Sequence, residues 1–271
     1  MWSSLALMTA LTLPSAQTGQ LKLTNDRATY WFIGAPRPDD KLIPGDAYYL
    51  AFDIEGLKTD AQGKAVYSMA MEVVNSQGKL QFKKEDPRDL EAINSLGGST
   101  LPAWAATEVG TDMPAGVYTL KVTVTDKSTK QTQTLEKKFE VLPKAFGLAR
   151  VQMIYPAQTP IPAPPIGVVG QSLILACGAV GFDRDKTKKQ PDLSFEMRVL
   201  DEAGKPVLAK PDAGRVYKDV PENLSGVEAP PFYLALNRAG KFTVELKAVD
   251  NVSKKESTVK FPITVLEQPK P

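Results

Sequence analysis

Two strand patterns of the same length recur in this chain. The first runs Gly116-Val-Tyr-Thr-Leu-Lys-Val-Thr-Val-Thr-Asp126, and the second runs Gly240-Lys-Phe-Thr-Val-Glu-Leu-Lys-Ala-Val-Asp250. Each begins at Gly, alternates apolar with polar residues and ends at Asp. Alternation with a period of two predicts a half-buried β-strand, and Gly and Asp are turn residues. We therefore expect one β domain to occur twice.

The repeat extends well beyond these strands. Three glycines recur at separations of 125, 126 and 124 residues: Gly45 and Gly170, Gly78 and Gly204, Gly116 and Gly240. Two copies indicate a duplication rather than a solenoid. The chain has 271 residues, which is enough for two ordinary domains. We predict domains at residues 20–143 and 148–267.

Apolar residues at every second position supply a core for each copy. The inward sets are Tyr48, Leu50, Phe52, Ile54, Met69, Met71 and Val73 in the first copy, and Leu173, Leu175, Cys177, Ala179, Phe195, Met197 and Val199 in the second. Each copy has about seven short strands bounded by turn residues, which predicts an all-β protein of two antiparallel sandwiches. The one helical expectation is a turn or two between Pro87 and Ile93, ended by Gly97 and Gly98.

The stretch from Pro114 to Asp126 resembles the sixth strand of immunoglobulin-like and fibronectin-III-like domains, which occur in tandem in exported bacterial proteins. Tyr118 matches the corner tyrosine near the start of that strand. Phe242 holds this position in the second copy and lacks the hydroxyl. The resemblance implies two immunoglobulin-like β-sandwiches, and it transfers no functional residue.

Composition excludes several chemistries. The chain has no His, which removes Ser–His and Cys–His nucleophiles and histidine metal sites. Cys177 is the one cysteine, so no intramolecular disulfide or cysteine metal cluster can form. A net charge of +2 favours neither nucleic acid nor an anionic membrane as partner. We expect no cofactor, no bound metal and no catalytic residue.

The N-terminus is typical of an export signal. Leu5 to Leu13 form an apolar run, and small residues follow before a predicted cut after Ala16. We therefore predict a signal peptide at residues 1–16 and a secreted, periplasmic or envelope location. The run is too short to span a bilayer, and no other stretch approaches that length, so we predict no membrane span.

Six residues are candidates for a binding surface: Trp31, Trp104, Arg184, Lys186, Lys188 and Lys189. Tryptophan can form a platform for a sugar ring, although in a small sandwich it is more often part of the core. The basic residues occupy a loop in which the two copies differ. Copies that share a fold are expected to differ where a partner binds.

Two residues with potentially reactive side chains have simpler structural interpretations. Cys177 could pair with a cysteine of another chain, but it shares the register of Leu173 and Leu175, so we favour a buried, free thiol. Ser76 and Lys79 match a Ser-x-x-Lys pattern, but the second copy retains only the Gly-Lys of this turn. A hairpin requires that pair and a nucleophile does not.

Three groups of carboxylates could hold a cation or act in acid–base chemistry: Asp183, Asp185 and Asp192; Asp53 and Glu55; Asp126 and Asp250. We favour a solvated turn for the first group, because lysine and arginine are interleaved with it. We favour a solvated strand face for the second. The third group recurs at a strand end, where a turn cap explains both copies.

Three functions remain open at this point. We favour an exported, monomeric, non-enzymatic module that presents loops and edges to an unidentified protein or glycan. The alternative is an accessory substrate-binding part of a secreted polysaccharide hydrolase. A strand-exchanging chaperone is the third, and the proline-rich stretches at 35–44 and 156–165 argue against the long open edge it needs.

Overall fold

A computed structural model describes residues 19–85 and 88–268 of the chain. The predicted leader at residues 1–16 lies outside the described residues. Within them, all regular secondary structure is β-strand, which confirms the all-β prediction. No helix in these ranges has the length and apolarity needed to cross a bilayer.

Nine strands lie between residues 22 and 141 and form what we call the N-terminal unit: β1 (Lys22–Thr29), β2 (Lys41–Leu42), β3 (Ala47–Glu55), β4 (Lys64–Asn75), β5 (Leu80–Glu85), β6 (Leu90–Ile93), β7 (Thr100–Glu108), β8 (Gly116–Asp126) and β9 (Thr132–Val141). One sheet has the order β1-β3-β7. The other has the order β2-β9-β8-β4-β5, and β6 also pairs with β4.

Ten strands lie between residues 147 and 266 and form the C-terminal unit: β10 (Gly147–Tyr155), β11 (Ile161–Pro162), β12 (Ile166–Val168), β13 (Ser172–Val180), β14 (Leu193–Leu200), β15 (Asp212–Val216), β16 (Gly226–Glu228), β17 (Phe232–Ala235), β18 (Gly240–Asp250) and β19 (Glu256–Leu266). One sheet has the order β11-β10-β13, with β16 and β17 both on the far side of β13. The other has the order β12-β19-β18-β14-β15.

The two units share their pattern of pairing. Both contain one short parallel pair, β2 with β9 and β12 with β19, while the other strand pairs are antiparallel. The first strand of each unit has a shift in its pairing register at a similar place. The shift lies between Thr24 and Arg27 in β1 and between Ala149 and Gln152 in β10. The proline-rich stretch 35–44 contains β2, and the stretch 156–165 contains β11 and ends just before β12.

The apolar face of each predicted strand lies where the alternation places it. In β3 the side chains of Tyr48, Leu50 and Ile54 are fully buried, and β8 buries Leu120 and Val122 just as completely. Each unit has its own apolar cluster, formed by residues from both of its sheets. Burial of alternate residues from two facing sheets is what holds a sandwich together.

The helical expectation before Gly97 is wrong. Residues Leu90–Ile93 form β6, which pairs in register with Lys64–Tyr67 of β4. Local sequence favoured a helical turn, but the open side of β4 supplies backbone partners for an extended segment. Pairing with that edge satisfies the peptide groups of both strands.

A short loop that follows β1 packs against the C-terminal unit. Tyr30 and Ala35 are buried in the apolar cluster of the C-terminal unit, where the Tyr30 ring lies 5.8 Å from the ring of Phe261. Asp46 is 3% exposed. Its carboxylate accepts a hydrogen bond from Arg37 Nη2 at 3.0 Å and another from the backbone N–H of Arg150 at 2.8 Å. One buried carboxylate therefore connects the first unit with the start of the second.

Candidate functional site

The most prominent binding candidate is an aromatic surface on the outer face of the β1-β3-β7 sheet. It consists of Trp31, Phe32, Tyr49 and Trp104, and we call it the aromatic face. Trp104 of β7 lies opposite Ala51 of β3, so its side chain points away from the core. Trp104 is 45% exposed, an unusually high fraction for a large aromatic residue.

Phe32 holds this surface together. Its ring centroid lies 4.3 Å from that of Trp104 and 5.2 Å from that of Tyr49, both in edge-on geometry. The ring centroid of Trp31 lies 4.9 Å from that of Phe32, and the two rings are tilted at 45°. Contacts of this kind contribute about 0.5–1.5 kcal/mol each beyond the area that they bury. The rings are therefore fixed in place before any ligand arrives.

The loop that presents Trp31 and Phe32 is tightly folded. The Tyr30 N–H donates to the Ala35 carbonyl at 2.8 Å, and the Thr29 hydroxyl donates to the Trp31 carbonyl at 2.7 Å. Trp31 has a φ of +66°, which is costly for a bulky residue. A Cβ at position 34 would lie 1.6 Å from the Tyr30 carbonyl oxygen, so only Gly34 allows this turn. A strained conformation that surrounding contacts maintain is common at functional sites.

Polar groups border the aromatic face. Glu108 follows Trp104 on the same side of β7, and it forms an ion pair with Arg150 of the C-terminal unit. Burial and the nearby Glu108 carboxylate raise the pKa of Tyr49 above its ordinary value, which already keeps the hydroxyl protonated at neutral pH. Flat rings bordered by a carboxylate, a guanidinium and a phenol can contact both the apolar face and the hydroxyls of a sugar ring.

The predicted basic residues are not part of this surface, because they lie in the C-terminal unit. Arg184 is half-buried, and its guanidinium donates to the carbonyls of Lys189, Val220, Pro221 and Leu224 at 2.8–3.2 Å. Arg184 therefore joins two loops. The side chains of Lys186, Lys188 and Lys189 are exposed and remain the accessible part of that loop.

Cys177 is a buried, free thiol, as predicted. Burial raises the pKa of Cys177 to about 12. Since the thiolate is the reactive form of cysteine, this thiol is inert in the folded protein.

The recurring aspartates are turn caps, as predicted. Asp126 accepts hydrogen bonds from the backbone N–H groups of Ser128 at 2.7 Å and Lys58 at 2.9 Å. Asp250 does the same with Val252 and Asp183, both at 2.9 Å. The Asp126 carboxylate therefore connects its own turn to the loop after β3, and the Asp250 carboxylate connects its own turn to the loop after β13.

The other carboxylates also have structural partners. Asp53 and Glu55 accept hydrogen bonds from Asn25 and Thr24 of β1 at 2.9 and 2.8 Å. Asp185 caps its turn through the N–H groups of Thr187 and Lys188. Asp192 pairs with Arg215, whose hydrogen bonds hold the pKa of this carboxyl below its usual value. Among residues 19–85 and 88–268, no three acidic or cysteine side chains form a group able to hold a metal ion.

The Ser76–Lys79 stretch is a hairpin turn on the surface. Asn75 caps it by accepting from the N–H groups of Gln77 and Lys79, and Gly78 has a φ of +75°. Gly204 occupies a similar turn in the C-terminal unit with a φ of +74°, which explains why both turns contain glycine.

Sequence reasoning identified two of the four aromatic residues. Tyr49 lies between the inward residues Tyr48 and Leu50, so its outward direction was readable from the alternation. Phe32 gave no such signal, because it lies in a loop whose course depends on the second unit. The face becomes visible only when Phe32 is placed between Tyr49 and Trp104.

Comparison with known proteins assigns no family. No family model and no curated protein matches the chain. Among solved structures, a family 123 glycoside hydrolase from Clostridium perfringens matches 56% of this chain at 11% sequence identity and a TM-score of 0.32. The match spans 30% of that hydrolase's length. At this TM-score the similarity carries no argument about fold or function.

Proposed function

We propose that the protein is an exported, non-enzymatic binding module built of two immunoglobulin-like β-sandwiches related by duplication. The aromatic face is the single observation that carries the binding function, and we propose a glycan as its ligand. Export rests on the leader predicted from sequence. We further propose that the protein acts as a monomer.

Matching backbone conformations support the duplication. Residues with positive φ recur in pairs at the spacing found in the sequence: Asn25 and Arg150, Gly45 and Gly170, Gly56 and Gly181, Gly78 and Gly204, Gly116 and Gly240, Lys130 and Lys254. Strained or glycine-dependent positions are the least interchangeable parts of a backbone. Their recurrence is more specific than a shared alternation of apolar residues.

A tyrosine corner supports the immunoglobulin-like assignment. The Tyr118 hydroxyl donates to the Pro114 carbonyl four residues upstream at 2.8 Å. In immunoglobulin-like domains, a tyrosine near the start of the sixth strand makes the same bond. The division into a three-stranded and a larger sheet, with a short parallel strand at one edge, agrees with that fold.

A glycan fits the aromatic face better than a protein partner does. The outer face of β3 and β7 is flat there, because Ala51 and Ala106 flank the aromatic residues. A pyranose ring can stack on the exposed part of Trp104, and Glu108 and Arg150 are positioned to meet its hydroxyls. The carboxylates described above are engaged in caps and strand contacts, which is why we propose binding without catalysis.

A glycan array with matched variants tests this function. We expect the mature chain to bind a subset of glycans and Trp104→Ala to lose that binding by tenfold or more, about 1.4 kcal/mol. Tyr217→Ala is the control, because Tyr217 is an exposed aromatic residue, 52% exposed, in the other unit. Equal binding by both variants, or no glycan bound by the mature chain, would refute the proposal.

The localisation has its own test. Intact mass of material secreted by the native host is expected to correspond to a chain that begins at Gln17. A mass that retains residues 1–16 contradicts export by cleavage.

A further inference from the structure

The C-terminal unit contains a large cleft that is separate from the aromatic face. It opens between β14 and β15 of one sheet and the outer edge of β17 in the other, and its volume is about 790 Å³. That volume lies within the ordinary range for small-molecule sites. The cleft exists because β17 and β15 are short, so the two sheets do not close against each other at this side.

The floor of the cleft is the apolar core itself. Leu236, Ile263 and Val265 line it, and all three belong to the buried cluster of the unit. Phe242 forms one wall and is only partly buried. Leu208 is 72% exposed and lies at the entrance. The three floor residues are only 3–4% exposed, so the apolar surface that a ligand could remove from water belongs mainly to Leu208 and to Tyr233, which is 67% exposed and also lines the cleft.

Cations border this apolar floor. Arg198, Lys210 and Arg238 line the cleft, and the Arg238 guanidinium lies 5.1 Å from the centroid of the Phe242 ring. Within the described part of the chain, neither Lys210 nor Arg238 forms an ion pair, whereas Arg198 has Glu196 at 3.8 Å. Within the described residues, two positive charges without an ion-pair partner therefore lie beside an apolar cavity.

Two carboxylates also line the cleft, and they do not cancel these charges. The Asp201 oxygen Oδ1 accepts hydrogen bonds from the N–H groups of Ala203 and Lys205, so its charge is directed toward the hairpin turn. Asp212 is exposed at the start of β15 and pairs with neither Lys210 nor Arg238. The lining as a whole has three cationic side chains and two carboxylates, an excess of one positive charge.

We propose that this cleft binds a single-chain amphiphile with an anionic head group. The apolar body lies over Leu208, Tyr233 and Phe242, and the head group pairs with Arg238 and Lys210. Charge complementarity and an apolar floor together select this class. A neutral apolar molecule would form no ion pair with the cations, and a small anion would make no contact with the apolar surface of the cleft.

Calorimetry with matched amphiphiles tests the proposal on the full mature chain. Sodium dodecanoate, kept below its micelle concentration, is expected to bind at one site per chain. Dodecyltrimethylammonium has the same tail and the opposite charge, and butyrate has the same head and almost no tail. We expect both to bind at least tenfold more weakly than dodecanoate. Equal affinity for the cationic amphiphile, or no binding of dodecanoate, overturns the proposal.

Charge-removing variants locate the site. Arg238→Gln and Lys210→Gln are each expected to weaken dodecanoate binding by about tenfold, the loss of one charge-assisted contact. Lys241→Gln is the control, since Lys241 is exposed and lies outside the cleft lining. These three positions are on the surface, so the variants should fold, and circular dichroism checks this.

Two outcomes of the variant series contradict the proposal. The first is a loss of affinity in Lys241→Gln as large as in Arg238→Gln, which would indicate a general charge effect. The second is protection of the β17 amide groups from hydrogen exchange by an extended peptide, with no amphiphile bound. That result would indicate that the cleft binds an extended peptide, which pairs as an added strand with the open edge of β17.

Discussion

Replacing Asp46 with alanine is predicted to loosen the joint between the two units. Asp46 lies in the turn before β3, and it is the common partner of Arg37 and of the Arg150 backbone N–H. The Arg37 and Asp46 side chains are only 10% and 5% exposed. The variant therefore leaves a buried guanidinium and a backbone donor with fewer partners.

The expected loss of unfolding free energy depends on the contacts that Arg37 keeps in the variant. Removing one partner of a buried ion pair costs about 3–5 kcal/mol. Arg37 keeps a hydrogen bond to the Lys41 carbonyl at 3.2 Å and its position 4.8 Å from the centroid of the Tyr30 ring. We therefore expect about 3 kcal/mol for the pair. The lost bond from the Arg150 N–H adds about 1 kcal/mol.

Urea unfolding with two optical signals measures this loss. Both described tryptophans, Trp31 and Trp104, lie in the N-terminal unit. Fluorescence therefore reports that unit, and far-ultraviolet circular dichroism reports both. In the wild type we expect the two signals to change at one urea concentration, since Tyr30 is packed in the cluster of the second unit. In Asp46→Ala we expect the transitions to separate.

Glu108→Gln is the matched control. Glu108 pairs with Arg150 at the same joint, but the side chains are 62% and 56% exposed, so the change should cost no more than about 1 kcal/mol. A cost for Asp46→Ala equal to that of Glu108→Gln would refute the argument. So would additive costs for Arg37→Ala and Asp46→Ala, because a direct pair must show coupling in the double variant.

Three further predictions concern single groups. Tyr118→Phe removes the hydrogen bond to the Pro114 carbonyl and should lower the free energy of unfolding by about 1 kcal/mol in urea melts. Burial alone would raise the pKa of Asp126 and Asp250, but the hydrogen bonds donated to both hold it below its usual value. Their stabilisation is therefore complete above the unfolded-state value of about 3.9 and is lost as the pH falls through the lower folded-state pKa. Urea melts from pH 7 to pH 3 should show this decline. Cys177 should resist iodoacetamide at pH 8 in the folded protein and react once urea unfolds it, as intact mass would report, because burial raises its pKa to about 12.

Each of these predictions has a contrary result. An unchanged midpoint for Tyr118→Phe would mean that the corner hydrogen bond contributes nothing. A stability that stays flat below pH 4 in the wild type, or that declines equally in the Asp126→Asn and Asp250→Asn double variant, would remove the linkage argument. Rapid alkylation of folded protein would show that Cys177 is reached from solvent.

Much of the strand structure was readable from the chain. The predicted strands Gly116–Asp126 and Gly240–Asp250 are found with these bounds, and the predicted inward residues Tyr48, Leu50, Phe52 and Ile54 lie in Ala47–Glu55. Their inward residues were assigned correctly because side chains on a strand alternate between two faces. The buried state of Cys177 followed from the same register.

The candidate site was readable only in part. Trp104 was chosen as a large aromatic residue, but its exposure results from its place on the outer face of β7. Arg184 looked like an accessible charge, and only the packed loops reveal that four carbonyls engage it. The cleft beside Arg238 depends on the lengths of β15 and β17, which local pattern does not determine.

The sequence by itself determined the β class, the positions of the long strands and the absence of histidine chemistry and of a disulfide within the chain. These follow from local alternation and from counting residues. Tertiary structure alone decided that Leu90–Ile93 is extended, because β4 offers it a partner edge. It also decided that Tyr30 packs into the second unit while Phe32 covers the first. Contacts between residues far apart in the chain set these outcomes, and no local pattern encodes which distant surface a loop will meet.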